Sequence, residues 1–342
     1  MFASEDRYIG CILGEAIGDA LGMPFAEGPK HHSEPLITEF LPSRGVAPFV
    51  VPVAELGRSE SEPPLAAGQW TDDTQLTLAL AQTLIDEQGL FVPEAWAHKL
   101  VQWLNAAPRG AGLSSLQAAF ELRTGDLNWD EAADPDGGGV GAATRVAPVA
   151  LWAPQDPERR NRVAVMQAQV THGHPDAQAA ALGIAEAVAL ALTSGPLTVA
   201  QAPADFAGMV VDAVEGFDPR FAEMARCFGL AQRLLADDID PASAIRALGT
   251  SGWSREAAPV ALYIALRFAA DPEQALVTAI NSGGAADALG SIVGAILGAL
   301  HGVYGLPEHW RQGVEGAAQL VTTASGLYAQ VITGPGSALP AE

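Results

Sequence analysis

The stretch GSIVGAILGALHG, residues 290–302, places glycine at every fourth position, and GCILGEAIGDALG, residues 10–22, does the same. A spacing of four puts Gly290, Gly294, Gly298 and Gly302 near one face of a helix. It does the same for Gly10, Gly14, Gly18 and Gly22 on another. Each glycine inside a helix costs about 0.5–1 kcal/mol relative to alanine. Several in register need compensation, and close approach of a neighbouring helix backbone supplies it. Both helices are therefore expected to be central and tightly packed, with each other as one candidate pairing. The polar residues that interrupt them argue against lipid-style helix pairing. An aspartate stands in or beside each ladder, Asp19 in the first and Asp287 in the second.

Outward from the ladders (helices over 7–21 and 287–304), helical periodicity recurs over 74–86, 94–105, 114–122, 159–170, 175–192, 199–214, 220–236, 242–248, 256–269, 272–281 and 311–331. Strand signals are nearly absent. The pattern predicts an all-α chain with one domain over 1–332 and a frayed tail over 333–342. Residues 23–69 carry Pro24, Pro29, Pro35, Pro42, Pro48, Pro52, Pro63 and Pro64 and read as a long irregular excursion. Loops of that length in a domain are uncommon and usually functional.

Composition narrows the classes of function. The chain has 342 residues, 49% of them hydrophobic and only 17% charged, so much of it must be buried. Net charge is −22, and Lys30 and Lys99 are the only lysines. Such a chain repels a nucleic-acid backbone, which argues against sequence-independent binding to it. A small phosphate ligand stays compatible, because helix N-termini bind phosphate through backbone N–H groups. Cys11 and Cys227 lie in apolar helical patterns and are expected to be buried thiols of a reducing compartment. The first residues lack a signal-peptide layout, and the apolar run 289–304 is short and glycine-studded. A cytoplasmic, monomeric protein with no membrane association is expected.

Four stretches carry residues suited to chemistry. WTDDTQ (70–75) opens a helix, where Thr71 suits an N-cap and Asp72 and Asp73 favour the helix dipole. Asp287 lies between Gly283-Gly284-Ala285-Ala286 and a very apolar helix, so its carboxylate needs a partner, either a cation or a helix N-terminus. If these two acidic stretches meet, their oxygens form a hard cage suited to Mg²⁺ or Mn²⁺. Four glycines among residues 137–141 permit close approach of a ligand, with a flexible linker as the plainer reading. Arg145 follows directly and strengthens an anion reading. Thr171-His172-Gly173-His174-Pro175-Asp176 joins two helices, either as a capping turn or with a histidine on a sugar or phosphate. No Ser/His/Asp or Cys/His nucleophile arrangement is evident.

In this order the motifs resemble the ADP-ribosylglycohydrolase family over roughly residues 7–330. GCILGEAIGDALGMP (10–24) looks like its opening glycine helix, and WTDDTQLTLALAQTL (70–84) like its first metal motif. GVGAATRVAPVAL (139–151) resembles its phosphate-binding loop, and THGHPDAQAAALGIAEAVALAL (171–192) its Thr-His motif. AINSGGAADALGSIVGAILGALHG (279–302) resembles its closing metal motif. The resemblance implies an all-α, single-domain orthogonal helical bundle. It implies two Mg²⁺ or Mn²⁺ ions and hydrolysis of the bond between ADP-ribose and an acceptor, whether protein, nucleobase or small molecule.

Carried over by position, Thr71, Asp72, Asp73 and Asp287 are metal ligands, and the three aspartates are catalytic. Gly139, Val140, Gly141 and Ala142 lie against the diphosphate, with Asp19, Arg145 and His172 also on the substrate side. Glu27, on the excursion, is an acid/base or lid candidate, one position late against the family pattern, where Ala26 stands. Ala285 and Ala288 occupy positions that are metal ligands in the family (Asp, and Thr or Ser), and Val140 replaces a usual Asn. These departures predict one retained metal, one weakened metal and impaired turnover. A non-catalytic ADP-ribose-binding protein is the alternative.

Overall fold

The computed structural model describes residues 3–26, 40–41 and 65–333. Its helices are α1 Glu5–Gly22, α2 Asp72–Asp86, α3 Pro93–Asn105, α4 Leu113–Thr124, α5 Gly141–Thr144, α6 Ala147–Trp152, α7 Pro157–Gln169, α8 Pro175–Thr193 and α9 Pro196–Gln201. They continue with α10 Pro203–Phe217, α11 Ala222–Ala236, α12 Pro241–Leu248, α13 Ser254–Arg267, α14 Pro272–Asn281, α15 Ala286–His301, α16 Glu308–Gly313 and α17 Ala317–Thr333. Among the described residues there is no strand; two isolated bridges, Asp134 with His172 and Gly139 with Trp253, are the β-type pairings seen. The chain is therefore all-α, as its periodicity predicts.

Local chemistry explains where helices begin. Proline opens α3, α7, α8, α9, α10, α12 and α14, where its missing N–H costs nothing. Asp156, Asp240 and Asp271 cap α7, α12 and α14 by accepting from backbone N–H groups three residues on. Three expected helices are divided. The 199–214 segment splits into α9 and α10 because Pro203 cannot continue the preceding helix. The 311–331 segment splits into α16 and α17 around Gly316, which takes φ +64°. The first turn expected in 220–236 is a separate 3-10 turn, Pro219–Phe221. The short helix α6 lies in a segment the periodicity left unassigned. Of the expected frayed tail, only Thr333 is among the described residues, and it closes α17.

The glycine ladders meet. α1 and α15 run antiparallel, with Gly10 against Gly298, Gly14 against Gly294, Gly18 against Gly290 and Gly22 against Ala286. A methyl group on any of these glycines would fall under 3.0 Å from the partner's backbone. Around this pair pack α8, α13 and α14 on the α15 side and α17 on the α1 side. Beside the ladder, α1 is bound to α2 by acid–threonine contacts. Asp19 receives Thr71 and Thr74, and one turn earlier Glu15 receives the Thr77 hydroxyl.

The buried apolar side chains form one continuous cluster. Helix α8 is long and apolar enough to cross a membrane, but 89% of it is buried within the protein, which makes it a core helix. Cys11 is buried as expected, whereas Cys227 is only half-buried.

The backbone contact between ladders gives a direct test. Gly14→Ala or Gly294→Ala should lower unfolding free energy by about 1–3 kcal/mol, because backbone faces the new methyl and cannot yield. Gly216 lies in α10 with nothing within 4 Å of its Cβ direction, so Gly216→Ala should be neutral or stabilising by up to about 1 kcal/mol. Urea unfolding of the three variants measures the contrast.

Candidate functional site

The first acidic motif sits where the ladder pair brings its ends together. Thr71 caps α2 and accepts from the Asp73 N–H at 3.3 Å, so Asp72 and Asp73 occupy the first turn. The Gly22–Ala286 contact sets the end of α1 beside the start of α15, and Asp287 lies one residue on. Burial first, and then the charges of Asp19 and Asp287, push the Asp72 carboxyl well above its usual range. Asp73 is raised by burial and by Asp72, Asp19 and Asp287. The structure thus gathers Asp19, Asp72, Asp73 and Asp287 into one neighbourhood of mutual repulsion.

Their roles within it differ. Asp19 is fully buried and accepts from the Thr71 N–H at 3.0 Å, the Thr71 hydroxyl at 2.8 Å, the Thr74 N–H at 3.1 Å and the Thr74 hydroxyl at 2.6 Å. Expected on the substrate side, it has both oxygens engaged by protein donors and underpins the start of α2. Burial, together with the charge of Asp287, raises it to about 7. Asp72 Oδ2 accepts from the Gly112 N–H at 3.2 Å, Asp73 Oδ1 from the Thr144 hydroxyl at 2.7 Å, and Asp287 Oδ1 from the Ala288 N–H at 2.8 Å. A strap over 107–112 steadies the motif. Arg109 O accepts from the Asp72 N–H at 2.7 Å, and the Arg109 guanidinium pairs with Glu315 at 2.5 Å and lies 5.0 Å over Trp70.

The donor set bears on the metal question. Thr71, Asp72, Asp73 and Asp287 offer hard oxygens, and their crowded negative charge favours a cation. Among the described residues no ready-made group of three acidic, imidazole or thiol ligands stands together, so sharing an ion would require these carboxylates to turn. Ala285 packs against the hydrophobic core and Ala288 is buried, so neither position supplies an oxygen. The residues present fit one hard cation and do not fit a second with the family's donors. Glu27 lies outside the described residues.

The glycine loop shows alternate faces. Val140 and Ala142 turn their side chains into the core, while Gly139 and Gly141 are half-buried. The Val140 N–H donates to Gly252 O at 2.9 Å. Val140 and Ala142, expected against a diphosphate, are thus core residues here, and the Val140 donor is taken; Gly139 and Gly141 form the open face. Ser254 holds the loop through its N–H to Gly138 O at 3.0 Å and its hydroxyl to Gly139 O at 2.9 Å. The Trp253 ring covers Gly138, where a methyl would strike it, and remains 40% exposed beside His174 at a centroid distance of 5.4 Å.

His172 borders the open face. Its Nε2 would be 3.7 Å from a methyl at Gly139 and 3.6 Å from one at Gly141. Burial, with the nearby Arg145 charge, lowers it to about 3. Arg145, expected to meet an anion, is fully buried and donates to Gln167, Thr171 and Ser115 instead. His174 caps α8 by accepting from the Asp176 N–H, as the capping-turn reading has it.

Sequence reasoning missed Thr144, Trp253, Ser254 and the Arg109–Glu315 pair. A tryptophan after Ser-Gly before a helix was the one visible signal. The others are ordinary residues whose partners lie far along the chain.

The His172 environment predicts a pH dependence. Its folded value of about 3 lies below the usual 6.5 of a free imidazole, so the unfolded chain binds more protons between these limits. Stability is therefore fully present above about 6.5 and falls on acidification. From pH 7 to pH 5 the wild type should lose about 2 kcal/mol more than His172→Gln, measured by urea unfolding of both.

The chain is similar to known proteins along nearly its whole length. The sequence model of ADP-ribosylglycohydrolase matches residues 3–335. An uncharacterized protein of Archaeoglobus fulgidus is 34% identical, over 95% of this chain and 96% of its own. ADP-ribosylarginine hydrolase Tri1 of Pseudomonas putida is 28% identical, over 94% of this chain and 78% of its own. A solved structure described as an ADP-ribosylglycohydrolase-related protein complex superposes with a TM-score of 0.68 at 25% identity, covering 95% of this chain and 98% of that one. With the glycine-paired helices, the acidic cluster and the glycine loop in place along nearly its whole length, the chain belongs to the ADP-ribosylglycohydrolase family.

Proposed function

We propose that this protein is a divalent-metal-dependent hydrolase that releases ADP-ribose from an N- or O-glycosidic conjugate, with one metal position furnished and turnover reduced by Ala285 and Ala288. The observation that carries this reading is the gathering of Asp72, Asp73 and Asp287 at one end of the ladder pair. Family membership and the name of the Tri1 relative support the ADP-ribose part.

Thr71, Asp72, Asp73 and Asp287 would hold Mg²⁺ or Mn²⁺. When bound, such an ion polarises sugar oxygens and lowers the pKa of water. The chain's own groups do the rest. Gly139 and Gly141 let the diphosphate approach the backbone, with His172 beside them. Trp253 offers an exposed ring for the base, a contact worth about 1–3 kcal/mol per base. Carboxylates of the cluster favour positive charge at the anomeric carbon, as in other glycoside cleavages, and one of them accepts the proton of the attacking water. The buried Asp19 keeps Thr71 and the start of α2 in place.

A second reading, binding of ADP-ribose without turnover, is favoured by Ala285 and Ala288, which remove two oxygen donors from the family's set. Calorimetry with Mn²⁺ separates the readings. The wild type should bind one ion per chain, and no binding at millimolar Mn²⁺ would refute the metal-dependent reading. Ala285→Asp should bring stoichiometry toward two and raise hydrolysis of an ADP-ribosylated peptide at least about tenfold. ADP-ribose binding with no gain from Ala285→Asp would favour the binder. Trp253→Ala should weaken ADP-ribose binding by about tenfold in the same calorimeter.

A further inference from the structure

Arg145, Thr171 and His172 form a line of side chains in which distance favours one placement of protons. A guanidinium has donors and no acceptor. Arg145 Nη2 is 2.6 Å from Thr171 Oγ1, so the hydroxyl oxygen accepts there. The hydroxyl proton has two neighbours, His172 Nδ1 at 2.7 Å and Ala168 O at 3.5 Å. The nearer takes it. Nδ1 is then an acceptor, and the proton of a neutral imidazole sits on Nε2.

The line is anchored at its far end. Arg145 Nε donates to Gln167 Oε1 at 2.8 Å, and Gln167 Nε2 donates to Ala142 O at 2.8 Å, which fixes the amide's orientation. Arg145 Nη2 also reaches Gln167 O at 3.2 Å, Nη1 reaches Ser115 Oγ at 3.3 Å, and the guanidinium lies 5.2 Å over Trp96. Arg145, Gln167, Thr171 and His172 are all buried. Nε2 faces Gly139 and Gly141, the open side of the loop.

We propose that Arg145, acting through Thr171, is a positioning residue that locks His172 as the Nε2–H tautomer, so that the glycine loop carries a side-chain donor for a ligand oxygen. The opposite tautomer would turn a lone pair toward phosphate or hydroxyl oxygens and repel them. Burial keeps the ring neutral, which leaves the tautomer as the property to be set. That the oxygen belongs to ADP-ribose rests on the proposed function; the tautomer does not.

The test uses ¹⁵N-histidine-labelled full-length protein without ligand at pH 7, with the His172 signals assigned by their loss in His172→Gln. Wild type should show a pyrrole-type Nε2 and a pyridine-type Nδ1. Thr171→Val, which keeps shape and removes the hydroxyl, should populate the Nδ1–H form, and Thr171→Ser should restore the wild-type pattern. Arg145→Gln, whose amide oxygen can take the Thr171 proton, should also release Nδ1. Should that variant fail to fold, the Thr171 pair still decides. ADP-ribose affinity should drop about tenfold in Thr171→Val and recover in Thr171→Ser. A proton on Nδ1 in wild type, an imidazolium, or a Thr171→Val spectrum identical to wild type would overturn the lock. Failure of the wild type to bind ADP-ribose would overturn the functional reading, while the tautomer would still be judged by the spectrum.

Discussion

Two helices touching backbone to backbone organise this protein. α1 and α15 have no side chains between them along the ladder, so their separation and register are set by main-chain contact rather than by adjustable packing. That contact makes the end of α1 and the start of α15 neighbours. The acids carried there, Asp19 and Asp287, are brought together by the same geometry. α2 joins them because its N-terminal N–H groups and threonine hydroxyls satisfy Asp19. A buried carboxylate without such donors would be costly; with them, it turns the first helix into a platform for the Thr71–Asp73 motif.

Like charges gathered in this way stay together only when neutralised by protons or by a cation. Asp19, Asp72 and Asp73 are each raised by burial first and then by neighbouring carboxylates, Asp287 among them in every case. This is the physical basis for reading the cluster as a cation site. The same reasoning limits the site. Ala285 and Ala288 remove oxygen at the α15 end, so the charge that remains is concentrated on the α2 side. On the other wall of the site, positive charge is withheld from the ligand face: Arg145 is enclosed behind Thr171 and His172 and acts through them.

Much of the fold was legible because helical periodicity, proline at first turns and aspartate caps are local signals. The errors were local as well. Pro203 and Gly316 each ended a helix that apolar spacing alone would carry onward, and Gly302 ended α15 short of the predicted 304. At the site, the acidic motifs and His172 were legible from residue type and resemblance. For Asp19, Arg145, Val140 and Ala142 the structure adds protein partners or core packing that residue type does not show. Residue type says what a group can bond, and only its neighbours say what it does bond. Thr71 and Thr74 occupy Asp19, Gln167 and Thr171 occupy Arg145, and Gly252 occupies the Val140 N–H.

By itself the sequence determined the all-α architecture, the two glycine-faced helices and the set of oxygen donors, because each is written in periodicity or residue chemistry within a few turns of chain. The tertiary structure alone decided which helices pair, which carboxylate supports the start of α2, and that Trp253 and Ser254 stand at the glycine loop. Those outcomes depend on contacts between segments far apart in the chain, 52 residues for Asp19 and Thr71 and 115 for Gly139 and Ser254, where no local pattern reaches.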